Sequence, residues 1–312
     1  MKESSDIPII SVIVPSHRRE YLEEAINSVL NQNLPRRYYE IIVVKDYLDE
    51  HLDSFLKSNS VISYYLNDDK LFPKIKMAIE NSKGKLLCFL DDDDKFISSK
   101  LSYIKDCFSN KPEMVYLHNN FIPVDENNQN VNFKNVDYDF NSSCMSVRRN
   151  IINFEKIENL GAMIDPFYYL SAVESGGKIF ISDKKLTIYR VHNSVTNSTN
   201  SQFEDIKKRR LMFYGKASES LMIFKSKFTN RKSQRVIRAM EIQLDINRYF
   251  LNYPTRYSIN LRKFLRDAPR PFQKRLIVCA QFMTSKFFEM LGLDLRERAI
   301  KSQISSNYKL NK

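Results

Sequence analysis

Glycine is scarce in this chain: six residues in 312, and none in the turn Pro15-Ser16-His17-Arg18-Arg19 that closes the first apolar segment. A loop that cradles phosphate needs glycine so that backbone amides can approach the anion closely. Neither a P-loop nor a glycine-rich dinucleotide fingerprint is therefore expected. Cysteine is sparse too. Cys88, Cys107, Cys144 and Cys279 are scattered without paired spacing, against a disulfide framework or zinc site and in favour of a reducing compartment. Met1 to Asp6 lacks the apolar stretch of a signal peptide, and no uncharged apolar run approaches bilayer length. The expectation is a cytoplasmic protein, or one peripheral at the inner face of a membrane.

What is present is enough to build a core: 43% hydrophobic and 12% aromatic residues exclude a disordered chain. The net charge of +12 is unevenly distributed. Residues 201–312 hold 25 Lys and Arg against 9 Asp and Glu, whereas residues 1–200 hold 24 against 28. This asymmetry predicts two parts, a near-neutral one at 1–200 and a basic appendage at 201–312 that an anionic membrane surface or a nucleic acid would attract.

Along the first part, apolar β-branched runs alternate with segments of helical spacing. Ile7–Pro15 and Tyr39–Val44 read as strands buried on both faces, Ile62–Leu66, Lys85–Leu90 and Met114–His118 as further strands. Helices are expected over Arg19–Asn31, Leu48–Leu56, Phe72–Ser82, Ser98–Phe108 and Asp165–Glu174. The alternation implies an α/β fold with a mostly parallel sheet flanked by helices. Residues 119–143, rich in Asn and Asp, read as a long loop or irregular hairpin. Short strands are expected at Lys178–Ile181 and Leu186–Val191. After a polar linker, basic amphipathic helices are expected at 203–228, 231–252, 256–267 and 271–291, with breaks near Pro254, Pro269 and Pro271.

The densest chemical signal is the run Asp91-Asp92-Asp93-Asp94 behind the apolar strand Leu86–Leu90. Ligands bind at the carboxyl ends of strands in open α/β sheets, and carboxylate oxygens are hard donors suited to Mg²⁺ or Mn²⁺, ions that in turn hold nucleotide phosphates. An acidic run is also compatible with a solvated turn or a helix start.

Four segments in order resemble family 2 glycosyltransferases. They are Ile10 to Arg19, Ala25 to Gln32, Tyr39 to Asp46, and Lys83-Gly84-Lys85 through Asp94, the last resembling the strand leading into the DxD motif. The likeness covers roughly residues 8–195 and implies a GT-A fold that transfers sugar from a nucleotide-sugar donor with inversion. It implies that Pro15, His17 and Asp46 border the base and ribose and that Asp92 lies near the ribose. Asp91 and Asp93 would be the metal-holding acids, with Mn²⁺ or Mg²⁺ as cofactor and Asp94 a helix-leading acid. Asp165 would be the base that deprotonates the acceptor hydroxyl, and Arg190 and His192, in Tyr189-Arg190-Val191-His192, would lie close to the diphosphate. Asp165 before Pro166 also fits an N-cap followed by proline.

Three departures from the family pattern are visible. Lys45 stands where the first of two aspartates is usual. The usual Arg-Asn pair before the DxD strand is missing, with Lys74 and Lys76 the nearest substitutes, and Ile164 replaces a customary Glu. The expected acceptor is a glycan or lipid-linked saccharide, and the helix near Lys274–Leu291 suits an anionic membrane or packing on the catalytic domain. The rival readings are a polyprenyl-phosphate hexose synthase, a nucleotide-binding protein without activity, and a nucleic-acid-binding protein. The last is disfavoured because the tail's aromatics follow helical spacing rather than forming a stacking surface.

Overall fold

The computed structural model describes residues 8–131, 140–154, 157, 160–191, 203–253, 259–269, 272–291, 293 and 296. They fall into two compact units: Met1–Val124, Phe140–Leu160 and Ile164–Arg190 form the first, and Asp125–Asp139, Gly161–Met163 and Val191–Lys312 the second.

The first unit runs β1 (Ile10–Ser16), α1 (Arg19–Leu30), β2 (Tyr39–Lys45), α2 (Glu50–Ser58), β3 (Ile62–Tyr65), α3 (Leu71–Glu80), β4 (Leu86–Phe89), β5 (Lys95–Phe96), α4 (Lys100–Asn110), β6 (Met114–Val124), β7 (Met145–Arg148), α5 (Ile164–Ser175) and β8 (Lys178–Arg190). The eight strands form one sheet in the order β3-β2-β1-β4-β7-β6-β8-β5. β3, β2, β1 and β4 are mutually parallel, as the buried runs predict, with Ile10 opposite both Tyr39 and Leu86. Every residue of β1 and β2 is buried, because helices cover both faces. Val12, Val14, Ile41, Val43 and Cys88 share one cluster with Leu22, Ile26 and Val29 of α1, Leu56 of α2 and Ile104 of α4. On the other face α3 packs against β1 and β2, and Tyr168 of α5 stacks on Phe89.

The second half of the sheet departs from simple alternation. β7 runs antiparallel to both β4 and β6, β8 runs parallel to β6, and β5 is antiparallel to β8. The polar stretch expected to be loop from residue 119 continues β6 as far as Val124. Its buried Asn119 is tolerated because the side-chain amide donates to Thr187 Oγ1 at 3.0 Å on β8. The two short strands expected at 178–191 are one continuous strand. Gly84 is required where β4 starts: a Cβ there would lie 2.4 Å from the Ser11 amide nitrogen.

The second unit holds α6 (Phe203–Lys227), α7 (Arg231–Phe250), α8 (Leu261–Asp267) and α9 (Phe272–Met290), close to the expected segments. Asn230 and Asn260 cap α7 and α8, accepting from the amides of Lys232 at 2.8 Å and Lys263 at 3.1 Å. The core is the 3.6-residue face of α7, Ala239, Ile242, Ile246 and Phe250, closed by Phe264 of α8 and by Cys279 and Phe282 of α9. Among the described residues no helix is long and apolar enough to cross a membrane.

Candidate functional site

Three parallel strands end on the same edge of the first unit, and the chain leaving each one walls a cleft of about 820 Å³. β1 contributes His17, Arg18 and Arg19, β2 contributes Asp46 and Tyr47, and the β3–α3 connection contributes Asn67, Asp68, Asp69 and Lys70. Strand ends of this kind expose backbone ends and polar side chains while the apolar strands stay buried, which is why ligand sites form there.

Asp46 is the electrostatic centre of the cleft. Its Oδ2 accepts from Lys74 Nζ at 2.6 Å and pairs with His17 Nδ1 at 2.7 Å. Burial raises the carboxyl pKa, but the hydrogen bonds from Lys74 and His17 outweigh it and hold the group below its ordinary value. Lys74 is buried and so held in position, whereas the His17 side chain, which lines the cleft, is 68% exposed. Of the two lysines considered as substitutes for the missing pair, Lys74 reaches the site; Lys76 faces Glu80 at 3.9 Å. Lys45 does not take the place of an acid in the cleft. It is buried, donates to the Tyr47 carbonyl at 2.8 Å and pairs with Asp53 at 2.9 Å. Tyr47 lies between Ser16 Oγ, 2.8 Å from its hydroxyl, and Arg19, 5.3 Å from its ring centre; burial pushes the phenol up to about 12. Pro15 is buried within β1 opposite Val44.

The four aspartates beside this cleft have four different attachments. The Asp91 amide donates to Ser143 Oγ at 2.9 Å and its Oδ1 accepts from Ser142 Oγ at 2.7 Å, so a 3-10 turn at Ser142–Cys144 fixes it. Asp92 Oδ2 accepts from the amides of His17 and Arg18, both at 2.6 Å, and from Ser16 Oγ at 3.1 Å, tying the exit of β4 to the exit of β1. Asp93 pairs with the Arg18 guanidinium. Asp94 Oδ1 accepts from the Arg190 amide at 2.9 Å, and its buried Oδ2 has no hydrogen-bond partner among the described residues. Burial, then the charge of Asp91, pushes the Asp94 carboxyl up to about 7, and burial also raises Asp91.

Arg190 is committed to this loop. Its Nε donates to the Asp93 carbonyl at 3.0 Å, its Nη2 pairs with Glu24 at 2.9 Å, and the guanidinium covers the Tyr21 ring at 4.4 Å. His192 lies outside the described residues. α5 begins at Ile164, so Asp165 sits half-buried inside the first turn rather than capping it from outside. Tyr168, one turn on, stacks on Phe89 at 4.0 Å, and its buried hydroxyl has no hydrogen-bond partner among the described residues. Burial, then the charges of Asp165 and Asp91, raise that phenol well above its ordinary value, placing both acids within electrostatic range of one ring.

Several of these groups escape sequence reasoning. Arg18, Ser142, Ser143 and Glu24 act through tertiary contacts that no local spacing announces. Lys100 is the strongest case: it is fully buried, with Nζ donating to the Ser143 carbonyl and to Thr187 Oγ1 at 2.9 Å. Burial pulls its pKa down to about 8. In the sequence it is one more lysine at a helix start.

Asp91, Asp93 and Asp94 each offer an oxygen, and these lie within 4.8 Å of one another. Ligands of an octahedral Mg²⁺ or Mn²⁺ at about 2.1 Å sit roughly 3–4 Å apart, so small side-chain adjustments suffice. The unpartnered Asp94 Oδ2 and the uniformly hard donor set fit such a cation. Asp92, spent on backbone amides, is not in the set.

The model of the family described as Glycosyl transferase family 2 matches residues 11–168. The putative teichuronic acid biosynthesis glycosyltransferase TuaG of Bacillus subtilis (strain 168) is 33% identical over 101 residues, covering 30% of this chain and 39% of that protein. The GalNAc(5)-diNAcBac-PP-undecaprenol beta-1,3-glucosyltransferase of Campylobacter jejuni is 36% identical over 104 residues, covering 31% of this chain and 33% of that protein. The matches thus span between a third and two-fifths of those two relatives' own lengths. Among solved structures, S. aureus TarS 1-349 in complex with UDP-GlcNAc superposes with a TM-score of 0.51 at 16% identity, over 87% of this chain and 91% of that one. That likeness carries the GT-A architecture of a mixed sheet flanked by helices. With the family model covering half of the chain, including most of the sheet, the cleft and the aspartate run, the chain belongs to glycosyl transferase family 2.

Proposed function

We propose that this protein is a metal-dependent, inverting glycosyltransferase that moves a sugar from a nucleotide-sugar donor to a hydroxyl of a saccharide or lipid-linked saccharide. The observation that carries this reading is the convergence of Asp91, Asp93 and Asp94 at the end of β4, beside a cleft walled by the exits of β1, β2 and β3. The nucleoside takes the cleft: Asp46, kept ionised by Lys74, accepts from base or ribose, and the exposed His17 ring stacks. Asp92 acts one step removed, by fixing the amides that shape the β1 exit. Asp91, Asp93 and the Oδ2 of Asp94 would hold a divalent ion, which when bound would supply Lewis-acid stabilisation of the diphosphate. Asp165 takes the acceptor proton as the acceptor oxygen bonds to the anomeric carbon from the face opposite the leaving group. The glycosyl–phosphate bond breaks with its electron pair going to the diphosphate, which gives inversion. Arg190 supports the site by clamping the Asp93–Asp94 backbone. Four free cysteines agree with work in the reducing cytoplasm, at an anionic membrane surface where a lipid-linked acceptor would be met.

The test is a thermal-shift panel of UDP, GDP and dTDP, each with and without Mn²⁺, on wild type and Asp93→Asn. A ligand at 100 times its Kd adds about 2.7 kcal/mol of stability. Mn²⁺-dependent stabilisation by one nucleotide, lost in Asp93→Asn, is the expected result; no response to any nucleotide refutes the donor site.

A further inference from the structure

α9 has two apolar faces, and only one is used inside the second unit. Inward, Cys279 and Phe282 join the α7 core, with Phe282 against Tyr249 at 5.0 Å and Glu289 accepting from the Tyr249 hydroxyl at 3.0 Å. Outward, Leu276, Met283, Phe287 and Met290 recur at i, i+7, i+11 and i+14, so they share a stripe on a helix of 3.6 residues per turn. They are 44%, 54%, 55% and 78% exposed. Leu291 and Leu293, also exposed, continue the apolar surface past the helix end. Among the described residues nothing covers this stripe. An exposed row of large apolar side chains on one helix marks a contact surface rather than scattered surface hydrophobics.

Size and charge choose the occupant. From Leu276 to Met290 the stripe is about 21 Å long, and at a helix width of about 10 Å it offers roughly 200 Å². A stable protein interface needs about 800 Å² per partner. A second copy is disfavoured further because residues 201–312 carry 25 basic against 9 acidic side chains, so two such faces would repel. Arg262, Lys263 and Arg266 of α8 are exposed, and Lys274, Arg275 and Lys286 lie on α9. Glu289, the acid of α9, is paired with Lys286 at 2.9 Å. A narrow apolar face on a strongly basic helical unit has the composition of an interfacial helix on anionic lipid, where small apolar area and charge attraction add.

We propose that the Leu276–Met283–Phe287–Met290 face of α9 docks the protein on a bilayer rich in anionic lipid, with the stripe in the headgroup boundary. This deepens the lipid-linked acceptor reading above, but its test uses neither nucleotide nor acceptor, so either can fail alone. The full chain is sedimented with sucrose-loaded vesicles of phosphatidylcholine, or of phosphatidylcholine with about 30% phosphatidylglycerol. Wild type is compared with Met283→Glu/Phe287→Glu and with Gln281→Glu, which adds negative charge at an exposed position of the same helix outside the stripe. Both stripe positions are exposed, so folding is preserved; an unchanged melting temperature verifies it. Binding to anionic vesicles should exceed binding to neutral ones by about tenfold, weaken in high salt, fall about tenfold or more in the double variant and persist in Gln281→Glu. Absence of binding to anionic vesicles, or binding retained by the double variant, overturns the proposal. So does a dimer in light scattering that the double variant dissociates, which would assign the stripe to a second copy.

Discussion

Asp94 sets a pH dependence that can be measured without any substrate. In the unfolded chain its carboxyl ionises near 3.8, whereas in the folded protein burial and the neighbouring Asp91 move it up to about 7. Between those values the folded state holds a proton that the unfolded state has lost, so stability falls as pH rises. The interval is about three units at 1.36 kcal/mol each, or about 4 kcal/mol by the time Asp94 is ionised. About two of those units lie between pH 5 and 7, roughly 2.7 kcal/mol, so at about 2 °C per kcal/mol for a protein of this size Tm should fall by about 5 °C between pH 5 and 8. Asp94→Asn keeps an oxygen for the Arg190 amide but has no charge to bury. Its melting curve should be much flatter over the same range and higher than wild type at pH 8. Every ionisable group outside the Asp91–Asp94 pair is common to both proteins, so the difference between the two curves isolates that pair. Mn²⁺ at pH 8 should restore the wild-type Tm, because a cation relieves the same repulsion a proton does, and restore it less in the variant. Parallel pH profiles for wild type and Asp94→Asn would refute the reasoning.

Two further substitutions separate the cleft from the chemistry. Lys74→Met leaves Asp46 paired with the exposed His17, so denaturant unfolding should show a loss near the lower end of the 3–5 kcal/mol typical of a broken buried pair, about 3 kcal/mol, with weaker nucleotide binding by thermal shift. Asp165→Asn should lower kcat by about 10²- to 10⁴-fold with nucleotide affinity unchanged in the same thermal-shift assay. Unchanged turnover would instead point to an acceptor that needs no deprotonation, such as a polyprenyl phosphate.

What could be read from the sequence follows the reach of the forces involved. β1 and β2 are buried on both faces, and nearly continuous apolar runs such as Ile10–Val14 announce that directly. The α7 face and the caps at Asn230 and Asn260 are equally local, which is why the C-terminal helices fall close to their expected places. β7 and β5 were not visible. Each is short, and each owes its strand conformation to antiparallel partners rather than to its own pattern. Asn119 and Asn120 misdirected the reading of β6 for a related reason: a buried amide looks like loop chemistry until Thr187 appears beside it. The site shows the same division. The aspartate run and Asp46 stand out by type and position, whereas Lys100 and Arg18 act through partners dozens of residues away in the chain.

Four aspartates in a row would be an electrostatic liability if all four did the same work. Their attachments show that they do not. Asp92 accepts hydrogen bonds from two amides and a hydroxyl and serves as a strut between β1 and β4. Asp91 is held by two serines, Asp93 faces a guanidinium, and Asp94 remains with one oxygen bonded and one bare. The strut fixes the loop while the other three leave a concentration of negative charge that a proton or a cation must offset. Lys100 underneath cannot offset it alone, since burial also pulls its own pKa down to about 8. The loop is therefore most stable when something positive occupies its outer side, and the Arg18 side chain, which also lines the cleft, is the positive group the chain itself puts there. A donor diphosphate arriving with a divalent ion would meet a cationic cleft wall and an anionic loop side by side, which is the charge pattern a metal–diphosphate complex presents in mirror image.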